Sequence, residues 1–195
     1  MFRFDGFDIR PATTRTQFDA ASMLVRRMYA WRGYRTDCIS DSPAHDDQVI
    51  LGVWQGGTAL ATLTLNLDST RGLCCDELYG AEIDAFRKRG RIICEVSRLA
   101  IDPESSSRYM LKALLRTAQE YARDILGCTD AVIEVNPRHA KYYCREFGFA
   151  QIGQLRRCPR VDAPAVLLHQ EIARMTPPRS AIAMTRMTAA PRLSS

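Results

Sequence analysis

The run Cys94-Glu95-Val96-Ser97-Arg98-Leu99-Ala100-Ile101-Asp102-Pro103 sets the strongest constraint on what this chain can fold into. With Ile92 and Ile93 before it, its apolar residues Val96, Leu99 and Ile101 are largely β-branched, which predicts a buried strand. The same strand carries a carboxylate, Glu95, and a guanidinium, Arg98. A charge in a core strand is costly unless it is paired or used. Side chains alternate along a strand, so Glu95 and Ser97 share one face and Arg98 takes the other, unless a bulge intervenes. A bulge here splays the sheet and opens a cleft beside the carboxylate. The strand therefore reads either as a buried Glu–Arg pair that knits a sheet or as the floor of a site.

A second junction lies downstream. The apolar run from Ala131 to Val135 predicts a short strand that ends at Asn136-Pro137. Asn is a good N-cap and Pro suits the first helical position. Ala140, Tyr143, Cys144 and Phe147 follow at helical spacing, and Gly148 closes the helix before Phe149 starts a new extended run.

The rest of the chain alternates in the same way. Phe7 to Arg10 predicts a strand, and Thr14 to Tyr29 a helix with Phe18, Ala21, Val25 and Met28 on one face. Gln48–Trp54 and Thr58–Leu67 predict a hairpin across Gln55-Gly56-Gly57. Asp76 to Arg89 predicts a second helix or helical lid, and Arg108 to Ile125 a third helix with an inner face of Leu111, Leu114, Leu115, Ala118, Tyr121, Ala122 and Ile125. Closing strands are expected at 150–157 and 165–172. Such alternation makes an α/β protein with a mixed sheet.

At 195 residues the chain is most simply one domain, expected over 1–173, followed by a disordered tail at 174–195. That tail holds Arg174, Arg179, Arg186 and Arg192 and no acid, which is four of the five net positive charges. The body is then nearly neutral, and a nucleic-acid surface is not indicated. No apolar run approaches a membrane span, and the first residues lack the apolar core of a signal peptide, so the cytoplasm is the expected location and no transmembrane segment is expected. The seven cysteines include no C-x-x-C pair, which argues against both a metal site and a disulfide framework.

Together the two junctions resemble the GNAT (N-acetyltransferase-like) acyl-CoA N-acyltransferase fold, in which a mixed central sheet is splayed at one strand and helices lie on both faces. The closer resemblance is to the N-acyl amino acid synthases and their relatives, the acyl-homoserine-lactone (autoinducer) synthases. Glu95-Val96-Ser97-Arg98 followed by Leu99-Ala100-Ile101 is similar to the strand these families share. Asn136-Pro137-Arg138-His139, then Tyr143 and Gly148-Phe149, are more similar to the amino acid synthases. The resemblance spans about residues 7 to 172. It implies an enzyme, an amide-forming acyltransferase that moves a medium or long fatty acyl group from acyl carrier protein to the amine of an amino acid. It implies no tightly bound cofactor; acyl-ACP, or acyl-CoA, is a co-substrate. The rivals are an autoinducer synthase, a CoA-dependent acetyltransferase, and an inactive module that binds acyl carrier protein.

Amide formation from a thioester needs a base for the amine, donors for the oxyanion and a proton for the departing thiolate. Glu95, desolvated in a cleft, is the expected base. Backbone N–H groups around Ser97 to Leu99 are the expected oxyanion donors. Arg98 either orients Glu95 or holds a substrate carboxylate in bidentate geometry. Tyr143 is the candidate proton donor, although a GNAT acetyltransferase carries its tyrosine one residue later, where this chain has Cys144.

For the donor's phosphopantetheine arm the candidates are Leu99, Ile101, Ser105, Ser106, Ser107, Arg108 and Asn136. GNAT enzymes that use CoA carry a Gly-rich turn before the donor helix. Between Asp102 and Leu126 this chain has no glycine, which favours a carrier-protein donor. Arg108, Lys112, Arg116 and Arg123 form a basic stripe suited to an acidic carrier. Leu63, Leu65, Phe86, Met110 and Trp54 are candidate acyl-chain linings. Arg27, Tyr29, Tyr34 and Ser97 are acceptor-side candidates. Val25 stands where autoinducer synthases usually have an arginine, which weakens the lactone reading.

Overall fold

The computed structural model describes residues 2–4, 7–37, 39, 45–105 and 108–172. Ser106, Ser107 and the expected tail at 174–195 lie outside these. Among the described residues there are nine strands and four helices. In chain order they are β1 (Phe2–Phe4), β2 (Phe7–Pro11), α1 (Arg15–Trp31), β3 (Gln48–Gln55), β4 (Thr58–Leu67), α2 (Asp76–Arg87), β5 (Ile93–Ile101), α3 (Arg108–Asp124), β6 (Asp130–Val135), α4 (Pro137–Phe147), β7 (Ala150–Gln151), β8 (Arg156–Cys158) and β9 (Ala163–Glu171). The strands run in the order β1-β2-β3-β4-β5-β6-β9-β7, with β8 also on β9. The β5–β6 pair is parallel and the others are antiparallel.

Alternation in the strands builds a core on each face. Leu51, Leu63, Leu65, Val96 and Ile133 pack against Leu114 and Ala118 of α3 and Phe147 of α4. On the opposite face Ile50 and Trp54 pack against Leu24, Val25 and Met28 of α1. Ile93, Val132 and Leu167 pack against Tyr79 and Ile83 of α2. Helices therefore cover both faces, and β4 is buried on both, its polar Thr62, Thr64 and Asn66 included. No helix among the described residues is long and apolar enough to cross a membrane.

Local signals hold the ends of the key helices. Thr14 and Gln17 form a capping box at the start of α1. The Asn136 side chain accepts the Arg138 N–H at the start of α4, Pro137 follows it, and Gly148 closes the helix at φ 73°. Three expectations are corrected. Ile125 lies past the end of α3 and is exposed, not on its inner face. The strand expected at 150–157 is broken into β7 and β8, and between them the Tyr79 hydroxyl donates to the Gln154 carbonyl at 3.0 Å. β1 is an added antiparallel edge strand, with Phe2 opposite Ile9.

Candidate active site

The sheet parts at β5. Its parallel ladder with β6 runs from Ile93 opposite Asp130 to Val96 opposite Ile133 and stops there. Its antiparallel ladder with β4 continues through Ser97, Ala100 and Ile101, but shifts register between Thr62 and Thr64. The extra residue on β5 is accommodated at Arg98, whose φ of 51° lies in the left-handed region. The bulge flips the alternation: Val96 packs in the α3–α4 core, whereas Ala100 packs against α1. Past Val96, the β6-facing edge of β5 has no ladder partner in β6, and the gap becomes a cleft of about 630 Å³. That volume is typical of a small-molecule site.

Glu95 sits at the floor of the cleft, 1% exposed. Its carboxylate accepts the Cys74 backbone N–H at 2.8 Å, and the Asn66 amide approaches at 3.5 Å. That same Asn66 amide nitrogen donates to Ser97 Oγ at 2.8 Å, and its carbonyl accepts from Gln48 at 2.9 Å. Burial drives the Glu95 carboxyl up to about 7, against the opposing pull of the Cys74 N–H and the Arg160 charge. Glu134 across the cleft pushes in the same direction as burial. Arg160 holds Glu134 at 2.9 Å and Glu77 at 2.8 Å, and also donates to the Cys74 carbonyl. The loop that caps Glu95 is thus itself pinned by Arg160. A carboxyl titrating near neutrality beside an open cleft suits general-base chemistry.

Asn66 is the positioning residue here. Replacing it with alanine is expected to lower kcat and to move the acid limb of the pH–rate profile upward, since a hydrogen bond favouring the charged carboxylate is lost. A circular-dichroism melt run beside the pH profile separates this from simple unfolding.

Arg98 lines the cleft and makes no hydrogen bond or ion pair with a described residue, Glu95 included. The paired reading of Glu95 and Arg98 is therefore corrected: no hydrogen bond or ion pair joins the two side chains. Tyr143, on α4, is buried and also lines the cleft. Burial pushes its phenol up to about 12, so the O–H is retained at neutral pH. The adjacent Tyr142 ring meets it edge-on at 5.7 Å, with a buried hydroxyl that has no partner among the described residues.

The remaining candidates divide. Leu99, Ile101 and Asn136 line the cleft, as do Tyr29, Tyr34 and Ser97. Ser105 and Arg108 are not among its lining residues. Arg27 is tied to Asp102 at 2.7 Å and also stays outside the lining. Leu63, Leu65, Met110, Trp54 and Phe86 belong to the packed cores and not to the cleft. Four functional positions escaped the sequence reading: Asn66, the Cys74 amide, Glu134 and Arg160. Only Asn66 carried a signal, as the last polar residue of the alternating strand β4.

Comparison with known proteins agrees with this architecture. A family model for N-acyl amino acid synthase FeeM matches residues 20–171. The structure of FeeM, an N-acyl amino acid synthase from uncultured soil microbes, is 26% identical, with a TM-score of 0.79 over 86% of this chain and 93% of that one. An acyl-CoA N-acyltransferase from Pseudomonas aeruginosa shares the fold at 16% identity and a TM-score of 0.59, over 84% of this chain and 97% of the other. So does an N-acetyltransferase-like protein from Lactobacillus plantarum, at 16% identity and a TM-score of 0.65, over 86% and 99% of the two chains. No curated protein matches the sequence. The splayed GNAT-type sheet and the match across most of its length show that this chain belongs to the N-acyl amino acid synthase family and is an amide-forming acyltransferase.

Proposed function

We propose that the protein transfers a medium or long fatty acyl group from the thioester of acyl carrier protein to the α-amine of an amino acid. One observation carries the reading: a buried carboxyl titrating near 7 and a guanidinium with no partner among the described residues share one cleft where the sheet parts. Glu95 takes a proton from the amine, directly or through a water, and the amine attacks the thioester carbonyl. Backbone N–H groups of Ser97 to Leu99 meet the oxyanion. The C–S bond then breaks as the amide forms, and the thiolate takes the Tyr143 proton. Arg98 holds the carboxylate of the amino acid, and Tyr29 and Tyr34, which also line the cleft, flank the acceptor. The acyl chain lies against Leu99, Ile101, Leu111, Ile133 and Val135, which supply the apolar part of the lining.

The carrier-protein donor rests on the glycine-free stretch from Asp102 to Leu126 and on exposed cations of α3. Of the basic stripe, Lys112 is neutralised by Glu146 at 2.6 Å and Arg123 by Asp124 at 2.7 Å. Arg108 and Arg116 are exposed without ion pairs among the described residues, and they are the cations left to steer an acidic carrier. Mass spectrometry of organic extracts from an overexpressing bacterium tests the product. N-acyl amino acids are expected; acyl lactones or acetylated amines in their place overturn the reading.

A further inference from the structure

We propose that Arg160, on the turn between β8 and β9, is a positioning residue for the acyl transfer: it fixes Cys74 against Glu95 and, together with Glu134, sets the charge state in which Glu95 meets the amine. This role rests on the reading of Glu95 as the general base.

The turn is short and closed. β8 ends at Cys158 and β9 begins at Ala163, Asp162 takes a left-handed φ of 53°, and Arg157 pairs with Asp162 at 2.7 Å. Arg160 reaches from this turn to the cleft, which it lines beside Cys74, Glu95 and Glu134. Its guanidinium ties three segments together. It donates to the Cys74 carbonyl ahead of α2, to Glu77 of α2 at 2.8 Å and to Glu134 of β6 at 2.9 Å. A planar fork of donors suits such divergent acceptors. Cys74 links this clamp to the chemistry, because its carbonyl accepts from Arg160 while its N–H donates to Glu95 at 2.8 Å. Ion pairs as buried as this one are poor stabilisers, since desolvation cancels much of the attraction. What Arg160 and Glu134 govern is the field at Glu95.

The other ionisable groups around Glu95 leave that control to the pair. Burial, then Glu95 itself, push the Cys74 thiol up to about 12, and the same two causes push the Cys75 thiol up as well. Cys128 and burial push up Cys94, the neighbour of Glu95 on β5. All three thiols are therefore uncharged at neutral pH. Asp76 is held by Arg87, and Glu77 by Arg160. Arg98 shares no bond with Glu95. Arg32, His139 and Tyr143 line the cleft from the end of α1 and from α4, and none of them is bonded to Glu95. Arg160 and Glu134 remain as opposed charges: the guanidinium favours the ionised carboxyl and Glu134 disfavours it. Each also blunts the other, so removing one exposes Glu95 to the full field of the survivor.

Titration of the Glu95 carboxyl by carbon NMR, in protein labelled at its glutamate carboxyls and assigned with Glu95→Gln, tests this without requiring turnover. R160Q is expected to raise the midpoint from about 7 by about one pH unit, and E134Q to lower it by a similar amount. Loosened packing admits water and moves both variants down toward 4.5, the ordinary value. Any result other than a rise in R160Q and a fall in E134Q therefore overturns the proposal. If R160Q does not fold, E134Q decides, with the Cys74 amide proton as a second readout. A lowered midpoint with that amide still shifted downfield by the carboxylate supports control by charge; an unmoved midpoint or a lost amide bond overturns it. The acid limb of kcat is expected to follow each midpoint. Midpoints that part in opposite directions, while wild-type kcat ignores the Glu95 titration, leave the clamp standing and remove Glu95 as the base. A wild-type limb that follows Glu95, with midpoints fixed in both variants, does the reverse.

Discussion

Glu95→Gln is expected to lower kcat by about 10²- to 10⁴-fold, the usual range for loss of a general base, while making the folded protein more stable above pH 7. The two effects share one cause. The carboxyl titrates near 7 in the folded protein, against 4.5 as its unperturbed value, because it is buried. Between those limits the folded state binds more protons than the unfolded state, so stability falls as pH rises through the window. Above pH 7 the full desolvation cost is present, about 3 kcal/mol at about 1.4 kcal/mol per tenfold change in proton affinity. Glutamine carries no charge and still accepts the Cys74 N–H. The variant's stability is therefore flat where the wild type's declines, and the two converge toward pH 4.5. Thermal melts from pH 4.5 to 8.5 check this directly. In the wild type, log kcat is expected to rise with unit slope up to about pH 7 and then level off, and the variant lacks that limb. If Glu95→Gln instead melts earlier at every pH and its residual activity tracks the folded fraction, Glu95 is structural and the mechanism fails.

How much of this site a reader of the sequence can find depends on how far apart its parts lie in the chain. The β5 strand announces itself, since Glu95 and Arg98 interrupt an apolar run that has no other place for charge. The junction at Asn136-Pro137 is equally local, as cap and helix start adjoin. Legibility ends where the partner comes from a distant loop. The Cys74 amide that reaches Glu95 is 21 residues away, and the Arg160 guanidinium that pins the Cys74 carbonyl is 86 residues from it. No periodicity encodes such contacts; they exist only once α2 and the β8–β9 turn have packed on the sheet. The misplaced acyl linings fail for a related reason. Leu63 and Met110 have the same side-chain chemistry whether they face a cleft or a packed core, and only the splay of β5 from β6 decides which. Arg27 was drawn to Asp102 by an ion pair that spacing alone does not reveal. β1 has a local signal as well, since Asp5-Gly6 between Phe4 and Phe7 is a two-residue hairpin signature.

Arg98→Gly separates a residue kept for the backbone from one kept for its charge. At φ 51° a non-glycine residue bears about 1 kcal/mol or more of strain that glycine does not. Glycine should therefore preserve the bulge and hold or raise the melting temperature. The guanidinium it removes makes no bond to another described residue, so no buried partner is left stranded. What disappears is the charge-assisted contact with the acceptor's carboxylate, worth about 1.5–3 kcal/mol. KM for the amino acid is expected to rise about 10- to 100-fold with kcat little changed, the signature of lost binding shared by ground and transition states. The decisive comparison uses the corresponding amine without its carboxyl group. Wild type should prefer the amino acid by a wide margin, and Arg98→Gly should lose that preference while handling the plain amine as well as before. If the preference survives in a folded variant, the acceptor's carboxylate is held elsewhere. If instead the variant unfolds, the arginine is retained for packing, and its strained backbone has no functional return.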